Sequence, residues 1–556
     1  MRRLSLIVIL VTLLAGLAAP AARAGAPVGP AESSPSSLTS RPPGFSTDAA
    51  QALRIARGQP AVQKLLREHR DASLAPLVWQ GWRWEVDVRT KDTPLGEVDV
   101  SATGAVMKIW TGVQAKGYLG RGTLDPTFRR PWVWGAFALL FLLPFVDVKR
   151  PRRLLHLDLL VLLSFMASWL LLAAAKADAG IWLFYPPLLY LLGRLLYCGL
   201  HRRAGRGALV PRLPTAALLI GVVALFGARV ALNVTQPGAV LDIGYASVVG
   251  ADRITHKQEL YVDNDQHGDT YGPVNYLAYV PFELAFPYKG QWDSLWAAHA
   301  GTIVFDLLTL LGLFVLGRQM RAGPEGRRLG LALAWAWAAF PLTLYGVMDN
   351  TNDVLVSMLL VWMLVVFTRP AARGALLGVA AAAKFFPGAL LLVVARGRGG
   401  EGRRSWLTCV AACVGIFVFA FALYFPAGGV RELWNCTIGY QLGRAPDLSL
   451  WAMFDGVRWA QTVLEAFALL LTVAIAVLPG RRTLGQVAAL AGAITIAFQL
   501  PAGHWFYFYI MWFAPLALVA LFSEHGAVSA AAVGAGDGED ADVTELRARP
   551  PLALAS

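Results

Sequence analysis

Apolar runs dominate the chain, and most of them approach the roughly 20 residues that an α-helix needs to cross a lipid bilayer. From residue 131 onward these runs alternate with short basic segments. Only 15% of the 556 residues are charged and 56% are hydrophobic, whereas about a quarter of the residues in a soluble domain are charged. The sequence therefore excludes a soluble globular protein and predicts an all-α polytopic membrane protein.

Eleven of these runs are predicted to span the bilayer. They lie at 131–147, 154–175, 180–200, 213–234, 294–317, 329–348, 353–368, 406–426, 457–478, 484–500 and 504–522. The loops between them carry clusters of lysine and arginine at 149–153, 202–212, 318–328 and 481–482. Because positively charged loops remain in the cytoplasm, these loops are predicted to be cytoplasmic. The same rule accounts for the net charge of +13, and no nucleic-acid partner is expected.

The apolar run 374–395 does not fit the alternation, because basic residues flank both of its ends. Its middle contains Lys384-Phe385-Phe386-Pro387-Gly388, where the proline removes a backbone donor and interrupts a helix. A re-entrant hairpin entering from the cytoplasmic side fits both observations, and a single straight span is the alternative. Only the hairpin places the 235–293 loop, Asp349–Asp353 and His504 on the same, extracytoplasmic side.

The two ends of the chain differ from the apolar region. Residues 1–24 follow the charged, apolar and small-residue order of a secretory signal, which is either cleaved or kept as an anchor. Residues 25–45 are predicted to form a linker, and 523–556 a disordered acidic tail. Since residues 46–118 follow the signal, they are predicted to form an extracytoplasmic domain.

Residues 46–118 carry a helical pattern and then strand-like runs at 82–88, 97–100 and 106–110. These runs contain the patterns Trp-x-Val-x-Val, Val-Asp-Val and Thr-Gly-x-Val. In this respect the segment resembles a PepSY-like module, a small α+β domain. The resemblance implies an accessory role for this domain rather than a catalytic one.

Candidate metal ligands are few. Cys198, Cys409 and Cys413 lie in apolar runs and Cys436 lies in a polar loop, which excludes a disulfide framework and a thiolate metal site. The acids between 263 and 269 could hold a hard cation through oxygen ligands, but a solvated turn is the better interpretation. No metal and no other cofactor is expected.

The largest polar insertion between spans covers residues 235–293, and loops of this length are usually functional or disordered. It begins near Asp242 and contains Leu260-Tyr261 and the turn Tyr271-Gly272-Pro273-Val274-Asn275-Tyr276. The following residues, 276–287, are too few to span a bilayer and predict an interfacial helix.

These motifs, together with Ala382-Ala383-Lys384-Phe385-Phe386-Pro387 and a late His504 followed by aromatic residues, occur in a familiar order. The arrangement resembles the GT-C glycosyltransferases, and most closely the family 87 polyprenol-phosphate-mannose-dependent transferases. The resemblance covers 213–522, whereas a three-span unit at 131–200 lies outside it. It implies an inverting sugar transferase in which Asp242, the acid of the first long outer loop, is the base.

The chemistry of sugar transfer sets its own requirements. The attacking hydroxyl needs a carboxylate as proton acceptor, and the departing phosphate needs cations or hydrogen-bond donors. Asp242 suits the first role, with a helix cap as the alternative. His504, Lys384 and Arg253 are the candidates for the phosphate. As alternatives, His504 anchors the chain at the interface and Lys384 pairs with a membrane acid such as Asp306.

Six further residues are predicted to bind the substrate. They are Tyr245, Tyr271, Tyr276, Asp349, Asn350 and Asn352. For the segment Asp349–Asp353 the alternative is helix capping, because Asn and Asp side chains satisfy free amides at a helix start.

The expected protein is therefore a multi-pass enzyme of the cell membrane with its active site on the extracytoplasmic side. It is expected to move a hexose from a polyprenyl-phosphate donor to a glycan or glycolipid acceptor, with mannose as the first candidate for the hexose. One alternative is a proton-coupled transporter with Asp158, Asp306 and Glu465 as its relay. Another is a membrane scaffold or receptor whose N-terminal domain binds a ligand.

Overall fold

The computed structural model describes residues 32–111 and 131–525, with short gaps in both ranges. The gaps are 34, 36, 40, 43, 80–82, 91–93, 174–176, 202–208, 210, 236–239, 263–269, 290–294, 444–447 and 479. The predicted signal segment at 1–24, most of the predicted tail and the acidic segment 263–269 lie outside the described residues.

The N-terminal domain is an antiparallel sheet with its five strands in sequence order, covered on one face by two helices. The elements are β1 Glu32–Ser33, α1 Ala49–Arg57, α2 Pro60–Glu68, β2 Ser73–Trp79, β3 Arg83–Arg89, β4 Pro94–Ser101 and β5 Val106–Thr111. Alternation along β3 buries Trp84, Val86 and Val88 in one cluster with Ala52 of α1. This confirms a small α+β domain; β2 was not predicted.

The rest of the described chain is helical. Its α-helices are α3 Pro131–Leu142, α4 Leu154–Ala173, α5 Ala177–Leu200, α6 Thr215–Val234, α7 Asp242–Thr255, α8 Pro273–Ala285, α9 Trp296–Met320, α10 Gly323–Ala339, α11 Pro341–Met348, α12 Asp353–Val365, α13 Pro370–Ala383, α14 Leu391–Arg396, α15 Arg403–Leu423, α16 Gly429–Trp434, α17 Tyr440–Gly443, α18 Leu450–Met453, α19 Arg458–Val477, α20 Leu484–Gln499 and α21 Ile510–Ser523.

Six of these helices, α4, α5, α6, α9, α15 and α19, are long and apolar enough to cross a membrane. They match six of the eleven predicted spans. The run 329–348 is two helices, α10 and α11, bent by 61° at Pro341, and counts as a seventh span if the pair is taken together. The remaining four predicted spans correspond to α3, α12, α20 and α21, which have 12 to 16 residues.

The run 374–395 folds back on itself. Helix α13 ends at Ala383, a 3₁₀ turn covers Phe386–Leu390, and α14 ends at Arg396. The Arg373 guanidinium, near the start of α13, donates to the carbonyl of Ala395 at 3.3 Å. The two ends of the run are therefore adjacent, and Lys384 lies at the turn between its two arms. We call residues 370–396 the hairpin.

The basic loops gather at one end of the helical region. The Arg482 N–H donates to the Arg398 carbonyl at 2.6 Å, and Arg328 donates to the Pro211 carbonyl at 2.7 Å. Gln486, in the first turn of α20, donates to the carbonyl of Gly199 at the end of α5. We call this the basic end. Helix α20 rises about 24 Å from it, at about 1.5 Å per residue, before the chain reaches His504.

Candidate functional site

A cleft of about 250 Å³ lies at the end of the helical region opposite the basic end. Four predicted site residues line it, and they come from separate parts of the chain: Asp242, Tyr271, Lys384 and His504. The other lining residues are Leu241, Ile243, Thr270, Asp353, Phe385, Phe386, Gln441, Phe506, Phe508, Tyr509 and Trp512. The cleft thus combines two carboxylates, one ammonium and one imidazole with a largely aromatic wall.

Asp242 is the first residue of α7 and is exposed to the cleft. Its carboxylate accepts a hydrogen bond from the Ile243 N–H at 2.8 Å. The backbone beneath it is fixed, because the Leu241 N–H donates to the Asp349 carbonyl at 3.1 Å. At Gly244 a Cβ atom would lie 2.4 Å from the Asn350 carbonyl oxygen, so only glycine allows this close approach.

Lys384 reaches the cleft from the tip of the hairpin. Its ammonium forms an ion pair with the carboxylate of Asp353, the first residue of α12. The same ammonium lies 5.3 Å from the ring centroid of Tyr271 and 5.5 Å from that of Trp512. The partner is thus Asp353 and not Asp306, which pairs with Arg229.

The turn at Tyr271-Gly272-Pro273 packs against the end of α13. A Cβ at Gly272 would lie 2.0 Å from the Ala382 carbonyl oxygen, and the Gly272 N–H donates to the Ala383 carbonyl. Pro273 begins α8, where its missing N–H costs nothing. This contact brings the Tyr271 ring beside Lys384. Burial, with the nearby charges of Asp242 and Asp353, raises the pKa of Tyr271 well above its usual value, so its hydroxyl remains protonated.

His504 follows the end of α20 in an irregular segment. The segment is held by the Ser449 hydroxyl, which donates to the Gly503 carbonyl at 2.6 Å, and by Gln461, which donates to the Pro501 carbonyl at 2.8 Å. The imidazole contacts the edge of the Tyr509 ring, with 6.1 Å between the ring centroids. His504 is therefore a partly exposed ring at the rim of the cleft.

An aromatic wall stands beside the Lys384–Asp353 ion pair. The Trp512 indole stacks on Phe386 on one side, at 5.1 Å between ring centroids, and on Tyr509 on the other, at 4.6 Å. Its Nε1–H donates to the Asp353 carboxylate at 2.7 Å. A wall of this kind suits a ligand with an apolar part, while the charged groups suit an anionic part.

Six predicted site residues do not line the cleft. The Tyr276 hydroxyl accepts from the Tyr271 N–H at 2.9 Å. Arg253 donates to the Leu260 carbonyl at 2.9 Å, and the Tyr245 hydroxyl is hydrogen-bonded to Tyr288.

The other three, Asp349, Asn350 and Asn352, are buried behind the first turn of α7. Asn352 donates to Ser247 and Asn275, and Asn350 accepts from Asn233. Asn352 precedes α12 without a side-chain cap, so the Asn350 and Asn352 side chains join helices, while the Thr351 hydroxyl accepts from the Asp353 N–H at the start of α12.

Asp353 and Trp512 are lining residues that the sequence did not single out. Asp353 was grouped with its neighbours as a capping segment. The signal that could have found it is its charge at the start of an apolar helix, since a second intramembrane charge, Lys384, requires a partner of opposite sign.

The other acids in the apolar region are not part of the cleft. Asp306 accepts two hydrogen bonds from Arg229, and Asp158 accepts from Arg194 and Tyr190. Glu465 is exposed on the outer surface of α19. Two of the three acids proposed for a proton relay are thus held by separate arginines, Asp306 by Arg229 and Asp158 by Arg194, which also binds Glu524.

Among the described residues, the carboxylates close enough together to hold a metal ion are Glu85, Glu97 and Asp99 of the N-terminal sheet. Arg83 already occupies this group, at 3.5 Å from Glu85 and 3.4 Å from Asp99. The residues of the cleft do not form such a set. They can accept a proton at Asp242 and hold an anion at Lys384 and His504. Neither a model of a known protein family nor a curated protein matches the chain.

Proposed function

We propose that the protein is a membrane glycosyltransferase that moves a hexose from a polyprenyl-phosphate donor to a hydroxyl of a glycan or glycolipid. Mannose is the first candidate for the hexose. The observation that carries the proposal is the meeting of Asp242, Lys384 and His504 in one cleft with an aromatic wall. A lipid-phosphate sugar has three parts that this cleft matches: an apolar tail, an anion and a reacting carbon.

In the proposed reaction the Asp242 carboxylate accepts the proton of the acceptor hydroxyl as that oxygen attacks the anomeric carbon. The bond between this carbon and the phosphate oxygen breaks, and the phosphate leaves with the electron pair. Lys384 and His504 hold the charge that develops on the leaving oxygen. Attack opposite to the leaving group inverts the anomeric configuration. Tyr271 contributes a protonated hydroxyl at the cleft.

The arrangement of charge supports an outer position for the cleft. The basic loops lie at the opposite end of α20 and α9, and positively charged loops stay in the cytoplasm. The hairpin would then be re-entrant, because both of its arms end at the basic end. The side of the membrane can be read from the accessibility of single cysteines to a membrane-impermeant thiol reagent.

The activity can be tested with radiolabelled polyprenyl-phosphate sugars and membranes that contain the full-length protein. We expect wild type to form a labelled product and Asp242→Asn to lose about 100-fold or more of the rate, because general-base catalysis contributes about 10²- to 10⁴-fold. His504→Ala is expected to slow transfer as well. The matched control is Asp252→Asn, the same change in the same helix at a residue that pairs with exposed His256.

Retained transfer in Asp242→Asn would remove the proposed base. If membranes with the wild-type protein form no product from any such donor, the transferase proposal fails. Movement of a solute driven by a proton gradient, with no glycosyl product, would favour the transporter in its place.

A further inference from the structure

The protein contains two buried clusters with the same three parts, a carboxylate, a cation and a tryptophan. In the first, Asp306 pairs with Arg229 and accepts from the Trp337 Nε1–H at 2.8 Å. In the second, Asp353 pairs with Lys384 and accepts from the Trp512 Nε1–H at 2.7 Å. Both carboxylates are at most 1% exposed. The two clusters differ in how many N–H donors of the cation are still available to bind a ligand.

The Asp306 cluster is complete. Arg229 uses its Nε and both terminal nitrogens, which donate to Asp306, to the Ala338 carbonyl and to Thr343. The guanidinium is fully buried. A cation with all of its nitrogens engaged inside the protein has a structural role.

The Asp353 cluster is incomplete on the cation side. Asp353 accepts from three donors, because the Thr351 hydroxyl also binds its carboxylate. An ammonium has three protons, and in the described part of the chain Lys384 makes one hydrogen bond, to Asp353. Its remaining donors lie between the Tyr271 and Trp512 rings at the surface of the cleft.

We propose that Asp353 is a positioning residue for anion binding: with Trp512 it fixes the position of the Lys384 ammonium and directs its two remaining N–H donors at a phosphate in the cleft. The inference rests on the proposed function in naming a phosphate as the anion. The Asp353 carboxylate has two effects on Lys384. It supplies the counter-ion without which a buried ammonium is costly. It also restricts the rotation of the lysine side chain at the tip of the hairpin. Stacking between Phe386 and Tyr509 fixes the indole, and the indole fixes the carboxylate.

Binding of farnesyl phosphate, a lipid phosphate without a sugar, to the detergent-solubilised full-length protein tests the inference by titration calorimetry. We expect Asp353→Asn to weaken binding by about tenfold or more, as hydrogen bonds to charged groups commonly do when lost. Trp512→Phe keeps a stacked ring but loses the N–H donor, and should weaken binding by a few-fold. This second variant keeps the test decisive if Asp353→Asn does not fold.

A double-mutant cycle separates positioning from simple destabilisation. Lys384→Met should weaken binding, and adding Asp353→Asn to it should have no further effect, because Asp353 acts through Lys384. Asp306→Asn is the matched control. It breaks an equally buried cluster, so it should lower the melting temperature and leave the Kd for farnesyl phosphate unchanged. In the transfer assay, Asp353→Asn should raise the KM of the donor and not that of the acceptor.

Three results would overturn the inference. They are additive effects in the cycle, tighter binding in Asp353→Asn, which would mean that the carboxylate competes with the ligand for the ammonium, and no binding of farnesyl phosphate to wild type. The proposed function fails on a different result, the absence of a glycosyl product. A protein that binds farnesyl phosphate through this pair but transfers no sugar would keep the inference and lose the transferase.

Discussion

At the scale of single residues, the side chains of the cleft are held by a layer of neighbours that have no access to it. Tyr276 shows how this works. It is buried, its ring fills the space that a side chain at Gly250 would need, and its hydroxyl accepts from the backbone of Tyr271. A motif that the sequence assigns to the substrate thus contains one residue at the cleft and one residue behind it.

Tyr276→Phe removes this hydroxyl and leaves the ring. We expect a loss of about 1 kcal/mol of stability, the usual cost of one hydrogen bond, and a several-fold lower transfer rate because the Tyr271 backbone is released. Tyr245→Phe is the matched control, since it removes a tyrosine hydroxyl that bonds to Tyr288 outside the cleft. Thermal unfolding and the transfer assay measure the two effects. Equal transfer rates in the two variants would show that the turn does not depend on Tyr276.

The catalytic and binding roles of single residues stay predictions, whereas their positions are given by the structure. Asp242, Tyr271, Lys384 and His504 were singled out by position, and the structure places all four at one cleft. Asp349, Asn350 and Asn352 have the same polarity but are turned inward. Sequence gives the polarity of a side chain, whereas the direction it points depends on helices that pack from more than 100 residues away, such as α6 with Asn233.

At the scale of elements, the hairpin and the loop before α8 form one unit. Gly272 lies against the carbonyl of Ala382, two residues before Lys384, so the position of the turn sets the position of the ammonium. The flanking charges and the proline of 374–395 favour a hairpin in the sequence, with a single straight span as the alternative. The sequence did not predict how the turn packs on the hairpin, because that contact is possible only where Gly272 lacks a side chain.

Gly272→Ala places a methyl group 2.0 Å from the carbonyl oxygen of Ala382, a backbone atom that cannot move aside as a flexible side chain could. We expect the turn and the hairpin tip to separate, with transfer reduced by about tenfold or more and stability lowered by about 1–3 kcal/mol. The control is Gly388→Ala in the same hairpin, where the nearest atom is the Ala381 Cβ at an ordinary 3.7 Å. Transfer at the wild-type rate in Gly272→Ala would contradict the coupling.

The lengths of the apolar runs were a weaker guide at this scale. Run 329–348 contains Pro341 and is bent, and the run 504–522 begins with an irregular segment that carries His504 before α21 starts at Ile510. Hydropathy detects where a chain is apolar, but it does not detect where the backbone stops being helical. The segment before α21 lines the cleft with His504, Phe506 and Phe508, as expected when non-helical backbone at membrane depth lines a cavity.

At the scale of the whole molecule, the unit at 131–200 is joined to the rest of the helical region by polar contacts at both ends. At the basic end Arg194 binds Asp158 at 3.0 Å and Glu524 at 2.5 Å. Toward the other end the Ser168 hydroxyl is hydrogen-bonded to that of Tyr507 at 2.7 Å. Close to the basic end, Leu490 also fills the space beside Gly199.

Glu524→Gln leaves Arg194 with one carboxylate where it had two. Because both groups are buried, we expect the melting temperature to fall and the end of α21 to become accessible to limited proteolysis, with a cost of about 1–3 kcal/mol for the lost charge-assisted bond. Glu465→Gln, the same change at an exposed position, should alter neither quantity. Unchanged proteolysis in Glu524→Gln would mean that apolar packing alone holds the unit in place.

Both arms of the hairpin end on the same side of the molecule, so this segment adds no crossing to the chain. Its deletion is expected to leave the orientation of α15 and all later helices as it is, but it would remove buried residues of α13 and α14, such as Leu377 and Val393, together with Lys384 and the aromatic residues at the tip. Changes in the length or sequence of the hairpin are therefore expected to alter the charge and the aromatic lining of the cleft without reversing the direction of the helices that follow.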